Sequence, residues 1–218
     1  MLWLVFLLEN LAVTVSSLLF GTLILRLCKV KQGKVTPREY VICIGTNLIN
    51  TAVTYAGFKL WVYHYIALSF SFNWWMVADS LLLFLAMDLA MYLFHYAIHH
   101  SFAYKWVHRL HHTYQDPTPV DLYVLHPLET VGFGALWLMV LCAYAFNFYA
   151  VAIYLTLNVL FGIIGHLGIE PLPKRVQNKM PLKLLGTSSF HHNHHRNEGY
   201  NFGFYTSIWD RLFNTYKH

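Results

Sequence analysis

Residues 76–100 read MVADSLLLFLAMDLAMYLFHYAIHH. Apart from Asp79, Ser80 and Asp88 the stretch is apolar as far as Phe94, and then histidines take over at His95, His99 and His100. About 20 helical residues at about 1.5 Å each cross the hydrocarbon core of a bilayer. The run is therefore a membrane span whose last turn carries imidazoles. His95 and His99 stand four residues apart, so both lie on one helical face. Asp88, seven residues earlier, lies on nearly the same face. A carboxylate inside a span needs a partner. A histidine that binds a metal usually gives its other N–H to a carboxylate or a carbonyl. Asp88 is expected in that supporting role, the alternative being a bond to Asn, Thr or Tyr of a neighbouring span.

The rest of the chain agrees with a membrane protein. Hydrophobic residues make up 57% of the 218 and charged residues only 11%, against roughly 25% charged in a soluble domain. That balance excludes an ordinary soluble enzyme and a disordered chain. The aromatic share of 17% suits a chain that meets lipid headgroups. Apolar regions run over about 1–27, 40–65, 76–99 and 127–165. The first has no basic leader and is read as a retained span, not a cleaved signal. The fourth has a break near Asn147 and is either two crossings or one re-entrant hairpin, with the hairpin preferred. Polar stretches fill 100–126 and 166–218. Cys28, Cys43 and Cys142 form no CxxC pair and read as small hydrophobes.

Charge orients this layout. Arg26, Lys29, Lys31, Lys34 and Arg38 follow the first span. Lys105 and Arg109 lie in the middle polar stretch, and seven more basic residues lie between Lys174 and Lys217. Only Lys59 falls towards the opposite face. An even number of crossings in the fourth region puts every basic cluster on one side, the cytoplasmic side by the positive-inside rule. The net charge of +5 is thus read as topology, with no nucleic-acid partner.

Twelve of the 14 histidines lie between His95 and His195. HYAIHH (95–100) is followed by HRLHH (His108, His111, His112) and HHNHH (His191, His192, His194, His195), with His126 and His166 alone between them. In H-x2-H-H the adjacent histidines diverge by about 100°, so two neighbours can point at two different metals, or at a metal and a support. Imidazole suits Zn, Cu, Fe or Ni. One zinc takes about four ligands, and nine or more histidines argue for two metals. His64 and His218 read as an interfacial side chain and a terminal one.

The order H-x3-H, H-x2-HH, His126-Pro127-Leu128-Glu129, His166-x-Gly168 and H-x2-HH resembles the fatty acid hydroxylase / sterol desaturase superfamily, whose members are integral membrane di-iron oxygenases. Asn201-Phe202-Gly203, Trp209-Asp210, Phe213 and Thr215 are similar to that family's ending. The resemblance covers roughly Asp88 to Thr215. Tyr96 and Asn214 depart from the pattern, and neither removes a ligand.

The resemblance implies metal roles for His95, His99, His108, His111, His112, His166, His191, His194 and His195. Beside these ligands, Asp88, His126, Glu129, His192 and Asn201 are expected as supports, and His100 and His192 stay open as ligands. The resemblance implies two iron ions, replaceable by zinc during purification, that activate O2 to attack an unactivated C–H bond of a lipid from the bilayer. The product is an alcohol or an alkene. Phe94, Tyr123 and Trp137 read first as packing and second as lining of a lipid slot. No nucleotide or haem fingerprint accompanies the boxes, so electrons come from an external donor, cytochrome b5-like or ferredoxin-like.

The expected fold is a single all-α domain over 1–218, a membrane bundle of about four apolar helical regions with a helical, histidine-rich cytoplasmic cap. The ending Thr215-Tyr216-Lys217-His218 has no dilysine signal, which favours a bacterial inner membrane over the ER. The competing reading is a metal-binding membrane protein without oxygenase activity: a zinc hydrolase, a metal transporter or an inactive scaffold.

Overall fold

The computed structural model describes residues 1–177 and 179–217. Among them there are helices and turns but no strand. In chain order they are α1 (Leu2–Leu27), α2 (Pro37–Val62), α3 (Trp75–His99), α4 (Tyr104–Val107), α5 (Arg109–His112), α6 (Pro127–Ala143), α7 (Phe148–Gly165), α8 (Lys174–Gln177), α9 (Ser188–Arg196) and α10 (Ile208–Leu212). A 3-10 turn, Pro119–Tyr123, precedes α6. Helices α1, α2, α3 and α7 are long and apolar enough to cross a membrane, and α6 is a shorter apolar helix of 17 residues. The chain is an integral membrane protein built only of helices.

Local chemistry sets the helix starts. Thr36 caps α2: Glu39 N–H donates to its hydroxyl, and its own N–H donates to Glu39 Oε2 at 2.5 Å, with Pro37 at the first position. Asn147 caps α7 by accepting from Tyr149 N–H at 2.9 Å. His126 caps α6 through Nδ1, which accepts from Leu128 N–H at 3.3 Å. The buried residues of α1 are Thr14, Ser17, Gly21 and Leu25, one stripe at helical spacing. Without water outside, such small and polar residues hold helices together by close approach and hydrogen bonds. Thr14 donates to Asn47 Oδ1 of α2 at 2.8 Å, and Ser17 shares a hydrogen bond with the Tyr123 hydroxyl at 2.7 Å. Most of the exposed remainder of α1 is apolar, as a lipid-facing surface requires, with Glu9, Ser16 and Arg26 the polar exceptions.

The fourth apolar region resolves into α6 and α7, with the turn between them at Asn147. That turn is tied to the start of α3. Asp79 accepts from Asn147 N–H at 2.8 Å and from the Tyr144 hydroxyl at 3.3 Å, and Phe148 N–H donates to Ser69 O at 2.8 Å. The hairpin therefore runs the length of α3 and returns. Its open end lies where α3 ends in histidine, so the starts of α2 and α6 and the ends of α1, α3 and α7 gather at one end of the bundle. There the polar segments form a cap.

The core lies between α3, α6 and α7, around Leu83, Met87, Leu141, Phe146 and Tyr154. Tyr205 of the C-terminal segment enters it. Its hydroxyl lies 2.7 Å from that of Tyr154 and 2.7 Å from Asn158 Oδ1. The cap is thus anchored inside the bundle and does not merely rest on it.

Candidate metal centre

Nine buried or half-buried histidines meet where the cap joins the spans. His95, His99, His108, His112 and His194 form one cluster and His111, His166, His191 and His195 a second; in each, the ligand atoms lie within 4.8 Å of one another. The division follows helix geometry. His108 and His112, four apart, face the first cluster, while His111 between them faces the second. In α9 the pattern inverts: His191 and His195 face the second cluster and His194 the first. The clusters adjoin, with the His112 and His195 rings 4.8 Å apart.

Hydrogen bonds fix the tautomers. A carbonyl or a carboxylate only accepts, so an imidazole nitrogen bonded to one carries the hydrogen. His95 Nδ1–H donates to Phe202 O at 2.8 Å, His166 Nδ1–H to Gly162 O at 2.8 Å and His194 Nδ1–H to Tyr200 O at 2.6 Å. His108 Nδ1–H donates to Glu129 Oε1 at 2.6 Å, and the Glu129 side chain is only 1% exposed. In all four rings the Nε2 lone pair is left facing its cluster.

The consequence is sharpest between His95 and His108, whose Nε2 atoms are 2.9 Å apart. Two lone pairs at that distance repel unless a cation lies between them. Related Nε2 pairs stand at 3.0 Å (His108–His112), 3.2 Å (His95–His99) and 3.1 Å (His191–His195). With metal–imidazole bonds of about 2.1 Å, two ligands at a right angle are about 3 Å apart. His194 Nε2, buried in the first cluster, has no hydrogen-bond partner. These residues fit a metal ion in each cluster. Burial, and after it the neighbouring imidazoles, holds His108, His111, His112, His191 and His194 far below the ordinary histidine range and pushes His195 down to about 3. They are neutral at neutral pH, the form that ligates.

The supporting residues divide differently from expectation. Glu129 is in place, on His108. Asp88 meets no histidine. It accepts from Tyr205 N–H (3.2 Å), Thr206 N–H (3.1 Å), Thr206 Oγ1–H (2.5 Å) and Trp209 Nε1–H (3.0 Å). Seven residues are two helical turns, about 10 Å along the axis, so sharing a face with His95 does not bring Asp88 within reach. Its partner is the C-terminal segment that delivers Phe202 O to His95.

His126, expected beside Glu129, caps α6 instead. His192 points outward to Asp116 Oδ1 at 3.1 Å, as it must in a helix whose flanking histidines face inward. Asn201, in the left-handed region at φ 60°, bonds to Lys217 O and N and to Phe190 O, pinning the tail. His100 bonds to Tyr96 O outside both clusters, His64 is exposed at the far end of α2, and His218 lies outside the described residues. Phe94 packs on Phe133, Tyr123 bonds to Ser17, and Trp137 stacks on Tyr154.

The sequence reading missed Tyr104, whose ring lies 5.0 Å from that of His99 and 6.0 Å from that of His112, and Glu198, which accepts from its hydroxyl. It also missed the carbonyls of Tyr200 and Phe202. A main-chain acceptor leaves no mark in a sequence, whereas a glutamate three residues after a histidine box could have been noticed.

Comparison with known proteins agrees with this architecture. Residues 80–215 match the family described as Fatty acid hydroxylase. The chain is similar to methylsterol monooxygenase 1 of Danio rerio (33% identical over 115 residues, 51% of this chain and 38% of that protein). It is also similar to lathosterol oxidase of Mus musculus (29% over 134 residues, 60% of this chain and 42% of that protein). A third relative is the Delta(7)-sterol 5(6)-desaturase of Leptosphaeria maculans (28% over 137 residues, 60% of this chain and 34% of that protein). The matched region spans less than half the length of each of these relatives. No solved structure matches the chain. With more than half of its residues inside the matched region, and every histidine of both clusters among them, the chain belongs to the fatty acid hydroxylase family.

Proposed function

We propose that the chain is a membrane oxygenase with two iron ions, one in each histidine cluster, that oxidises an unactivated C–H bond of a sterol-like lipid. The observation that carries this reading is the meeting of the His95 and His108 lone pairs at 2.9 Å, each ring's Nδ1–H already donated elsewhere. The names of the relatives supply the lipid class. In the overall balance, O2, two electrons, two protons and a C–H bond give a C–OH bond and water. Without oxygen insertion, loss of two hydrogens gives an alkene and two waters. The bound ions would supply the one-electron chemistry with O2 that no side chain offers.

The chain's own residues supply the rest. His95, His99, His108, His112 and His194 hold one ion, and His111, His166, His191 and His195 the other. Glu129 orients His108 and raises its basicity, and the carbonyls of Phe202, Tyr200 and Gly162 do the same for His95, His194 and His166. The spans bring an apolar substrate to the end of the bundle where the clusters sit, so it need not leave the bilayer. The basic residues at 26–38 and 174–217 lie at that same end, which the positive-inside rule makes cytoplasmic. There an external electron donor has access.

The test uses protein prepared without a His-tag from iron-supplied cells, incubated with O2, a reduced donor and a panel of sterols. About two irons per chain and a product that has gained one oxygen atom or lost two hydrogens are expected. One zinc, or no metal with the folded chain intact, would sink the oxygenase reading.

A further inference from the structure

Three outward nitrogens in the first cluster have a hydrogen-bond partner. His95, His108 and His194 give their Nδ1–H to Phe202 O, Glu129 and Tyr200 O. His112 Nδ1, by contrast, is buried and unpaired, as are the Nδ1 atoms of His111, His191 and His195 in the second cluster. Glu198 Oε1 lies 3.8 Å from His112 Nδ1. The other oxygen of that carboxylate accepts from Tyr104 O–H, and the Tyr104 ring covers His99 and His112 from the solvent side. Glu198 is 45% exposed where Glu129 is 1% exposed, so the two carboxylates flank the cluster from outside and inside.

We infer that Glu198, held by Tyr104, is the carboxylate that receives the His112 N–H when metal is bound, the outer counterpart of Glu129 on His108. The inference rests on the reading of the clusters as metal sites. His108 and His112 are one helical turn apart on the same face, and each then has its own carboxylate. The remaining gap is about 1 Å beyond hydrogen-bond distance, within the range of a glutamate side chain on a surface loop. Tyr104 restricts that side chain to the orientation that faces His112. Both are positioning residues, since neither enters the cluster.

The experiment is a cobalt(II) titration of the metal-free full chain in detergent, followed by the visible absorption of the bound ion. It compares wild type with Glu198→Ala, Glu198→Gln, Tyr104→Phe and, as a remote control, Glu9→Gln. The thermal melt of each metal-free variant is recorded alongside. Loss of such a partner typically weakens metal binding 10–100-fold. Both Glu198 variants should fall in that range and Tyr104→Phe in the same direction, while the metal-free melts and the control stay at wild-type values. Cobalt affinity of both Glu198 variants within twofold of wild type would overturn the inference and leave the metal reading standing. So would a metal-free melt that falls together with affinity, since Glu198 would then be a structural clasp. Wild-type protein that takes up no cobalt would overturn the metal reading itself.

Discussion

Glu129 and Asp88 are both fully buried carboxylates near the centre, and they do different work. Glu129→Ala leaves the His108 Nδ1–H buried without an acceptor, at about 1–3 kcal/mol, and should also weaken metal binding about 10–100-fold; a metal titration and a melt measure both. Asp88→Asn replaces one of the two accepting oxygens by an NH2 group, which then faces two of the four donors. We expect a loss of about 3 kcal/mol and faster proteolysis between residues 200 and 217, with Glu129 and the box histidines unaltered. A variant that melts like wild type would contradict the anchoring role. The HP-x-E match gave Glu129, whereas helical-face arithmetic alone suggested Asp88, because a face gives direction and not distance. For the histidines themselves the sign of the pH effect is fixed. His195 is held down to about 3 from 6.5, so the unfolded chain binds the extra proton in that window. The metal-free protein should therefore lose stability as pH falls from 6.5 towards 3, seen as a lower melt at about pH 5 than at about pH 8.

The contact between α2 and α6 depends on Gly134. A Cβ there would lie 2.5 Å from Val53 Cγ2, a stiff β-branched side chain that cannot swing aside. Gly134→Ala is expected to cost about 1–3 kcal/mol through overpacking, and Val53→Ala in the same chain should return most of it, a coupling that a double-mutant cycle measures. Apolar runs made the long helices legible in the sequence to within a few residues, and the break at Asn147 was visible as well. The helix α6, 17 residues long with Glu129 and Thr130 in its first turn, stands at the short edge of what a span needs. The entry of Tyr205 into the membrane core was hidden. One aromatic in a polar segment has no periodicity to reveal it, and its place follows from Asp88 holding the neighbouring backbone.

At the scale of the whole molecule, the chain marks its two ends with its own thiols. Cys28 follows α1 at the histidine end and Cys142 closes α6 at the other, and both are exposed. In sealed vesicles an impermeant maleimide should reach them from opposite sides, with Cys28 on the side of the boxes; labelling of both from one side would contradict the layout. The boxes, the spans and the divergence of adjacent histidines were readable from spacing. Which histidines share a cluster was not, because that depends on how α9 crosses α5. The crossing has a further consequence. Segment 108–112 and α9 each contribute to both clusters, in opposite proportion, so ions bound in both clusters would hold the same two helices in register. An ion that enters one cluster pre-arranges ligands of the other and lowers the ordering cost of the second arrival. By thermodynamic reciprocity the second ion also tightens the first. Filling and stripping of the pair should thus be cooperative, and chains with a single ion should be rare at half-saturation.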